Sequence, residues 1–251
     1  MDQLLVALDV DTATEALNLA DRLRGVAGGF KIGNRLFTSH GPTIVEQLVA
    51  RGDRIFLDLK FHDIPNTVAG AVAAAARLGA WMVNVHASGG ADMMRAARDA
   101  ADREAARLGS PAPLLVGVTM LTSLSEEVLD DIGVSGTMAD QVGRDAALAQ
   151  ASGLDGVVAS PHEIALIRAS CGDRFTIVTP GIRGGAASTH LTLKIGASGA
   201  TTDDQSWTLG AADALVAGAS YLVVGRPIIA ASDPRAAAEQ IAAECRAATA
   251  S

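Results

Sequence analysis

Short apolar runs alternate with longer stretches of helical spacing along the whole chain, and this alternation most constrains the fold. Each run is rich in Val, Ile and Leu and ends at polar or turn residues, which is typical of a buried parallel strand. The predicted strands cover residues 4–9, 29–33, 55–60, 82–86, 114–120, 156–160, 176–182 and 221–225. The predicted helices cover residues 13–23, 43–50, 65–78, 91–107, 139–151, 162–169, 208–217 and 234–247.

Eight strand and helix repeats in 251 residues predict a (β/α)₈ TIM barrel that forms a single domain over residues 1–251. The same alternation also allows an open, doubly wound sheet. The helix boundaries agree with the pattern, since Pro65 and Pro234 suit first helical turns and Gly79 and Gly218 suit C-terminal caps. No Pro-rich or Ser-rich linker marks a second domain.

The composition limits the classes of function and the cellular compartments that fit this chain. The formal net charge of −8 argues against a nucleic-acid-binding surface, which needs clustered Lys and Arg. The two cysteines lie far apart and form neither a disulfide framework nor a zinc spacing. The apolar stretch 68–83 contains Arg77 and is too short to span a bilayer, and the N-terminus lacks the pattern of a signal peptide. We therefore expect a soluble, cytoplasmic protein that binds no nucleic acid and no membrane.

Polar side chains concentrate at the predicted carboxyl ends of the strands, where TIM barrels carry their active sites. In chain order these ends hold Asp9, Lys31, Asp58 with Lys60, Asn84 with His86, Thr119 with Thr122, Ser160, Arg183, and Gly225 with Arg226. Any one of these residues could simply mark the start of a loop. Two lysines and two aspartates at three strand ends of a chain with only 19% charged residues favour a functional site.

The third predicted strand carries the densest set of charges, in the stretch FLDLKFHDIPNT. Because side chains alternate along a strand, Asp58 and Lys60 are expected on one face and Leu57 and Leu59 on the other. Burial disfavours a charged lysine, but a neighbouring carboxylate restores the ammonium, which can then donate a proton. Lys31 from the preceding strand could join this pair. A purely structural ion pair is the alternative.

FLDLKFHDIPNT, at residues 56–67, resembles the signature of the orotidine 5′-monophosphate decarboxylase family, whose core pattern is Asp-x-Lys-x-x-Asp. Six further stretches resemble the family in the same order along the chain. They are VALDV at 6–10, FKIG at 30–33, VNVHASGG at 83–90, MLTS at 120–123, TPGIR at 179–183 and VVGRPI at 223–228. The resemblance therefore covers essentially the whole chain.

The resemblance implies a cofactor-free decarboxylation of orotidine 5′-monophosphate to UMP in pyrimidine biosynthesis. Loss of CO₂ leaves a carbanion at C6 that the ring cannot readily delocalise, so the enzyme must stabilise it with preorganised charge. By resemblance, Lys60 lies beside C6 and donates the proton as CO₂ departs. Asp58 and Asp63 flank Lys60, and Lys31 completes an alternating Lys–Asp–Lys–Asp row. These four residues are the predicted catalytic set.

The resemblance also implies contacts to the rest of the nucleotide. Asp9 and Lys31 match ribose contacts and Thr122 matches a pyrimidine contact. Gly225 with Arg226 follows the eighth strand, where barrels commonly bind phosphate, and Arg183 adds a second cation. The full predicted substrate-binding set is Asp9, Lys31, Asp58, Lys60, Asp63, Ile64, Thr67, Thr122, Arg183, Gln205, Gly225 and Arg226.

Two further features follow from the resemblance. In the family, Asp63 and Thr67 reach into the active site of the neighbouring subunit, which implies a homodimer with shared sites. Residues 184–204 are rich in Gly, Ala, Ser and Thr and are longer than the matching part of the family. They are interpreted as a mobile lid over the phosphate, with Gln205 linking phosphate and base, and a surface insertion is the alternative.

Two other functions stay open on the sequence alone. A sugar-phosphate decarboxylase or aldolase-like enzyme shares Asp-x-Lys-x-x-Asp but uses Mg²⁺, with an acidic ligand near the position of Lys31, where a lysine repels the ion. A non-catalytic nucleotide-binding barrel would use Arg183 and Arg226 but would not need Lys60 between carboxylates. The five histidines show no metal-binding spacing, so we predict no metal, and the resemblance implies no cofactor. We expect His86 to support the site or the fold and not to act as a catalytic residue.

Overall fold

The computed structural model describes residues 1–182 and 210–249, and eight strands in these residues form a closed parallel barrel. The strands are β1 (Leu4–Ala7), β2 (Gly29–Gly33), β3 (Ile55–Phe61), β4 (Met82–His86), β5 (Leu114–Val118), β6 (Gly156–Val158), β7 (Thr176–Thr179) and β8 (Tyr221–Val224). Each strand pairs with the next along the chain, and β8 pairs with β1 to close the ring. The predicted TIM barrel is confirmed, and the open doubly wound sheet is wrong.

Helices surround the barrel and connect its strands. They are α1 (Ala13–Leu23), α2 (Asn34–His40), α3 (Thr43–Ala50), α4 (Pro65–Arg77), α5 (Ala91–Leu108), α6 (Glu127–Asp131), α7 (Met138–Ala151), α8 (Ile164–Cys171), α9 (Ala211–Val216), α10 (Arg226–Ile229) and α11 (Pro234–Thr249). The short helices α2, α6 and α10 were not predicted, because four to seven residues are too few to show an apolar period. Within the part of the chain that the structure describes, no helix has the length and apolarity to cross a membrane.

The predicted helix-boundary residues lie where the sequence indicated. Pro65 and Pro234 are the first residues of α4 and α11, where a missing N–H leaves no intrahelical hydrogen bond unmade. Gly79 and Gly218 follow α4 and α9 with φ of 78° and 110°. This backbone conformation is open to glycine at little steric cost, so both residues turn the chain from a helix towards the next strand.

The apolar core has two layers. The outer layer lies between the strands and the helices and includes Leu57 and Leu59 of β3. The inner layer fills the barrel with the side chains of Leu5, Ala7, Phe56, Met82, Val116, Val178 and Val223. At the amino-terminal side of this inner layer, Trp81 and Tyr221 make an edge-to-face contact with ring centroids 5.2 Å apart. The barrel interior is therefore filled with apolar side chains below its carboxyl-end mouth.

A short capping motif follows β6 at this mouth. Ser160 begins a one-turn 3₁₀ helix, Pro161–Glu163, and its N–H donates to Glu163 Oε2 at 2.9 Å. Burial raises the pKa of Glu163 to about 7, although the hydrogen bond from the Ser160 backbone opposes the shift. The folded protein therefore keeps the Glu163 proton at pH values where the unfolded chain has released it.

The raised pKa makes stability depend on pH in a definite direction. Because the folded pKa of Glu163 lies above its unfolded value, its contribution is complete below about pH 4.3 and is lost as pH rises through about 7. The substitution Glu163→Gln keeps an acceptor oxygen but cannot ionise. We expect its effect on the free energy of unfolding to be more stabilising at pH 8 than at pH 5, by about 1–3 kcal/mol. Urea unfolding of both proteins at the two pH values measures this. An equal effect of Glu163→Gln at pH 5 and pH 8 would contradict this expectation. Glu15→Gln, at an exposed position of α1, is the control.

Candidate active site

Four charged side chains form a row at the carboxyl ends of β1, β2 and β3. Lys31 Nζ lies 3.3 Å from Asp9 Oδ1 and 3.2 Å from Asp58 Oδ2. Lys60 Nζ lies 2.6 Å from the other oxygen of Asp58, Oδ1. The charges therefore alternate in the order Asp9, Lys31, Asp58, Lys60, and we refer to these four residues as the charged row.

Burial varies along the charged row. The side chains of Lys31 and Asp58 are 12% and 10% exposed, whereas those of Lys60 and Asp9 are 30% and 50% exposed. Gly33 makes room for the inner part, because a Cβ there would lie 3.0 Å from Lys31 Nζ. The row thus runs from a buried centre, Lys31 and Asp58, to two ends that a ligand in the mouth can reach.

The pKa shifts of the two central groups favour the ionised form of each. Burial alone would lower the pKa of Lys31, but the carboxylates of Asp58 and Asp9 outweigh it and the net pKa is raised. Burial alone would raise the pKa of Asp58, but Lys31, Lys60 and the hydrogen bond from Asn84 outweigh it and the net pKa is lowered. At neutral pH the centre of the row is therefore a fixed array of full charges in a poorly solvated place.

Lys60 has an unusual backbone. Among the residues that the structure describes it is the only non-glycine with a positive φ, at 52°. The pairing of β3 with β4 shifts register here, since Leu57 pairs with Val83 whereas Phe61 pairs with Val85. Four steps along β3 thus match two along β4, which makes an irregular bulge. The alternation of side chains along a strand correctly predicted that Lys60 lies close to Asp58. It did not predict the bulge in which Lys60 lies.

The role of Asn84, in β4, at this site was not predicted from the sequence. It has no solvent exposure, its Nδ2 donates to Asp58 Oδ1 at 2.6 Å, and its Oδ1 accepts from the Lys60 backbone N–H at 2.8 Å. The sequence placed Asn84 at a strand end without a role. The available signal was a carboxamide in the otherwise apolar run MVNV, where a buried polar group requires hydrogen-bond partners.

The segment after β3 leads into α4 and is exposed to solvent. Asp63, Ile64 and Thr67 are all exposed, with Ile64 at 67%. Asp63 Oδ1 accepts a hydrogen bond from the Ile64 N–H at 2.6 Å. Over residues 1–182 and 210–249, no ion pair joins Asp63 to Lys60 of the same chain. The structure therefore brings together three of the four predicted catalytic residues and adds Asp9, whereas Asp63 stays apart within one chain.

The end of β8 lies beside the charged row. Gly225 precedes α10, and the N–H groups of Ile228 and Ile229 donate to its carbonyl. A Cβ on Gly225 would lie 3.8 Å from Asp9 Oδ2, so this turn adjoins the Asp9 end of the row. Arg226 is exposed at the start of α10. Gly225 and Arg226 are therefore next to the row, as expected of parts of one mouth.

Three further residues were predicted to contact the substrate: Thr122, Arg183 and Gln205. Thr122 lies in a turn after β5 that is closed by a 3.0 Å hydrogen bond from the Leu124 N–H to the Leu121 carbonyl. It is partly buried on the mouth side of the barrel. Arg183, Gln205 and the predicted lid at 184–204 lie outside the residues that the structure describes.

Two histidines lie close to Lys60. The rings of His62 and His86 have centroids 5.3 Å apart. Burial, together with the proximity of His62 and Lys60, lowers the pKa of His86, which favours a neutral imidazole at neutral pH. In the described ranges, 1–182 and 210–249, no group of three His, Cys, Asp or Glu side chains is arranged to hold a metal ion.

The closed barrel, with its charged row at the carboxyl ends of adjacent strands, defines a TIM-barrel enzyme. A model of the orotidine 5′-phosphate decarboxylase / HUMPS family matches residues 2–241. The chain belongs to this family, and the resemblance noted in the sequence is confirmed.

Relatives match over nearly the full length of the chain. The orotidine 5′-phosphate decarboxylase of Moorella thermoacetica is 51% identical over 97% of this chain and 92% of the relative. That of Saccharophagus degradans is 51% identical over 96% of this chain and 94% of the relative. The crystal structure of orotidine 5′-phosphate decarboxylase from Lactobacillus acidophilus has a TM-score of 0.80 at 37% identity, with 96% of this chain and 98% of that chain covered.

The charge balance of the row predicts that Asp58 is important for stability. Asp58→Asn removes the only negative charge between Lys31 and Lys60, leaving two ammonium groups without their shared counter-ion. We expect the free energy of unfolding to fall by about 2–4 kcal/mol, because breaking a buried ion pair strands the remaining charge. Chemical denaturation at pH 7 measures the change. Asp92→Asn, which removes an exposed carboxylate paired with Arg95, is the matched control, and an equally small effect at both sites would contradict the expectation.

Proposed function

We propose that this protein converts orotidine 5′-monophosphate to UMP and CO₂ without a cofactor, as a step of pyrimidine biosynthesis carried out by one barrel domain. The observation that carries the proposal is the charged row, with Lys60 Nζ 2.6 Å from the Asp58 carboxylate at the mouth of the barrel. Relatives of about half identity are named orotidine 5′-phosphate decarboxylases, which supports the same reaction here.

In the proposed reaction the bond between C6 and the carboxylate carbon breaks, CO₂ leaves, and the electron pair stays on C6. The Lys60 ammonium transfers one proton to C6, which gives UMP and a neutral amine that regains a proton from water. Asp58 accepts a hydrogen bond from the Lys60 ammonium and holds it in place before the transfer. Ion pairs and the Asn84 hydrogen bond already hold the groups of the row together, so little reorganisation is required when charge develops at C6.

Lys31 argues for this chemistry over the Mg²⁺-dependent alternative. Its ammonium lies 3.3 Å from the Asp9 carboxylate and 3.2 Å from the Asp58 carboxylate. A divalent cation bound to these two carboxylates would have to lie beside this ammonium, and the raised pKa of Lys31 keeps it protonated and repulsive. A purely nucleotide-binding barrel has no comparable use for two buried charges beside a partly buried amine.

The other proposed substrate contacts are made by residues of the charged row and by residues around the barrel mouth. We propose that Asp9 and Lys31 bind the ribose hydroxyls and that Gly225 and Arg226 bind the phosphate. The short distance between the Gly225 turn and Asp9 supports neighbouring ribose and phosphate sites. We assign the pyrimidine contact to Thr122. The contacts of Arg183 and Gln205 stay predictions from sequence, since both lie outside the described residues.

We propose that the active form is a homodimer in which Asp63 and Thr67 complete the partner's site, with Ile64 beside them against the substrate. These three residues follow Lys60 closely along the chain and are all exposed, which supports the proposal. Ile64 in particular is a large apolar side chain that is 67% exposed in one chain, and an interface would cover it.

We also propose a cytoplasmic location. Cys171 in α8 and Cys245 in α11 are both free thiols. Unpaired cysteines are the usual state in a reducing compartment, where pyrimidine nucleotides are also used.

Removal of the proposed proton donor tests the reaction. Lys60→Ala is expected to lower kcat for orotidine 5′-monophosphate by at least about 10³-fold, because it removes both the proton donor and the charge beside C6. The affinity for UMP is expected to change less than about tenfold, since other groups bind the ribose and phosphate. An ultraviolet assay measures turnover, and titration calorimetry measures UMP binding.

Two controls accompany this measurement. Arg95→Ala removes a cation from the exposed face of α5, where it pairs with Asp92, and is expected to leave kcat unchanged. EDTA is expected to leave wild-type turnover unchanged. Near-normal turnover by Lys60→Ala would refute the proton-donor role, and strict dependence on added Mg²⁺ would favour the sugar-phosphate alternative.

Mixing two inactive variants tests the shared site. If Lys60 of one chain acts with Asp63 of its partner, a mixed dimer of Lys60→Ala and Asp63→Asn chains holds one intact site and one doubly altered site. Random exchange makes about half of the dimers mixed, so about a quarter of wild-type activity should return. If both residues act within one chain, every site is altered and mixing restores nothing.

A further inference from the structure

Asn84 contacts the charged row in two ways at once. Its Nδ2 donates to Asp58 Oδ1 at 2.6 Å, and its Oδ1 accepts from the Lys60 backbone N–H at 2.8 Å. It is fully buried on β4, the strand next to β3. One carboxamide therefore joins the carboxylate of the central ion pair to the backbone of the lysine that faces it.

The first contact fixes the orientation of the Asp58 carboxylate. Oδ1 receives the Lys60 ammonium and the Asn84 amide, while Oδ2 faces Lys31 at 3.2 Å. Without the amide, the carboxylate would be held only by two flexible lysine side chains and could rotate about its Cβ–Cγ bond. With three donors from three strands, its plane is set before any ligand binds.

The second contact holds the Lys60 backbone. In the bulge between Leu57 and Phe61 the regular pairing of β3 with β4 is interrupted, and the Asn84 side chain supplies the acceptor for the Lys60 N–H. A φ of 52° is sparsely populated for a residue with a Cβ and persists only where surrounding contacts impose it. This conformation sets the direction in which the Lys60 side chain leaves the strand.

We propose that Asn84 is a positioning residue that sets the distance and direction between the Lys60 ammonium and the Asp58 carboxylate. It acts through these two groups and does not touch the substrate. The expected change in turnover rests on the proposed function. The expected change in the position of Lys60 does not. Asn84 is thus the support for the proton donor, and its loss is expected to affect turnover more than binding.

The first test compares two truncations on the same strand. Asn84→Ala removes both contacts and is expected to lower kcat by about 10–100-fold, with KM changed less than about threefold, because the donor is misplaced while the substrate contacts remain. Val83→Ala is the matched control. Val83 is also fully buried but faces the outer apolar layer, so its truncation destabilises the barrel without touching the row.

Thermal unfolding of both variants separates positioning from stability. The proposal requires Val83→Ala to retain kcat within about twofold of wild type even where it lowers Tm as much as Asn84→Ala does. If Asn84→Ala retains wild-type kcat, or if both variants lose activity in proportion to Tm, the positioning role is wrong. Turnover by the wild-type protein in the same assay tests the proposed function separately.

A second variant gives a signature that general destabilisation would not produce, and it remains available if Asn84→Ala does not fold. Asn84→Asp keeps the shape and the acceptor for the Lys60 N–H but places a second carboxylate against Asp58. Two adjoining carboxylates share a proton as pH falls, and the shared proton would replace the lost N–H donor. The ratio of variant to wild-type kcat is therefore expected to rise as pH falls from about 8 to about 5.5, and a ratio constant over this range would contradict the proposal.

The geometric consequence can be measured without any turnover. In a crystal structure of Asn84→Ala we expect Lys60 to leave the left-handed region, or its Nζ to move more than about 0.5 Å from its place beside Asp58 Oδ1. An unchanged Lys60 φ together with an unchanged contact to Asp58 would overturn the proposal, whatever reaction the protein catalyses.

Discussion

The site depends on one carboxylate that three donors share. Asp58 is nearly buried, and its two oxygens receive Lys31, Lys60 and the Asn84 amide. A buried carboxylate or ammonium is costly when isolated, so Asp58 and Lys31 each depend on the other to stay charged in this place. The raised pKa of Lys31 and the lowered pKa of Asp58 are two expressions of the same mutual dependence.

The barrel makes this arrangement possible by its register and its packed interior. Lys31 pairs across the sheet with Ala7 and Phe56, whose side chains belong to the inner apolar layer. The charged row therefore lies directly above hydrocarbon, with water on one side only. Electrostatic interactions weaken less in such a place than they do in bulk water, so a few charges at fixed positions can act strongly on a bound nucleotide.

The sequence predicted those features that depend on local pattern. Apolar runs located the strands closely, and the predicted 29–33 and 82–86 coincide with β2 and β4. Alternation predicted that Leu57 and Leu59 face outward and that Lys60 meets Asp58. Lys31 could be placed beside this pair because parallel strand ends meet at one rim of a barrel.

What could not be predicted arises from contacts between distant segments or from departures from regular geometry. A period of two assumes a uniform strand, so it cannot show the bulge or the φ of Lys60. The hydrogen bonds of Asn84 depend on that bulge and are equally hidden. Asp63 lies within three residues of Lys60 in sequence, yet in the turn before α4 it is exposed and forms no ion pair with Lys60 within the described part of the chain. Sequence proximity is a poor guide at such a turn.

The filled interior has a consequence for how material reaches the charged row. Phe56 and the other side chains of the inner layer are buried and fill the barrel below Lys31. The Lys60 side chain is partly exposed at the mouth, so we expect a molecule that meets it to enter from the mouth and to leave by the same opening. A nucleotide bound across the mouth would then hold back both a small gaseous product and the water that returns a proton to Lys60, so departure of the nucleotide resets the site for the next cycle.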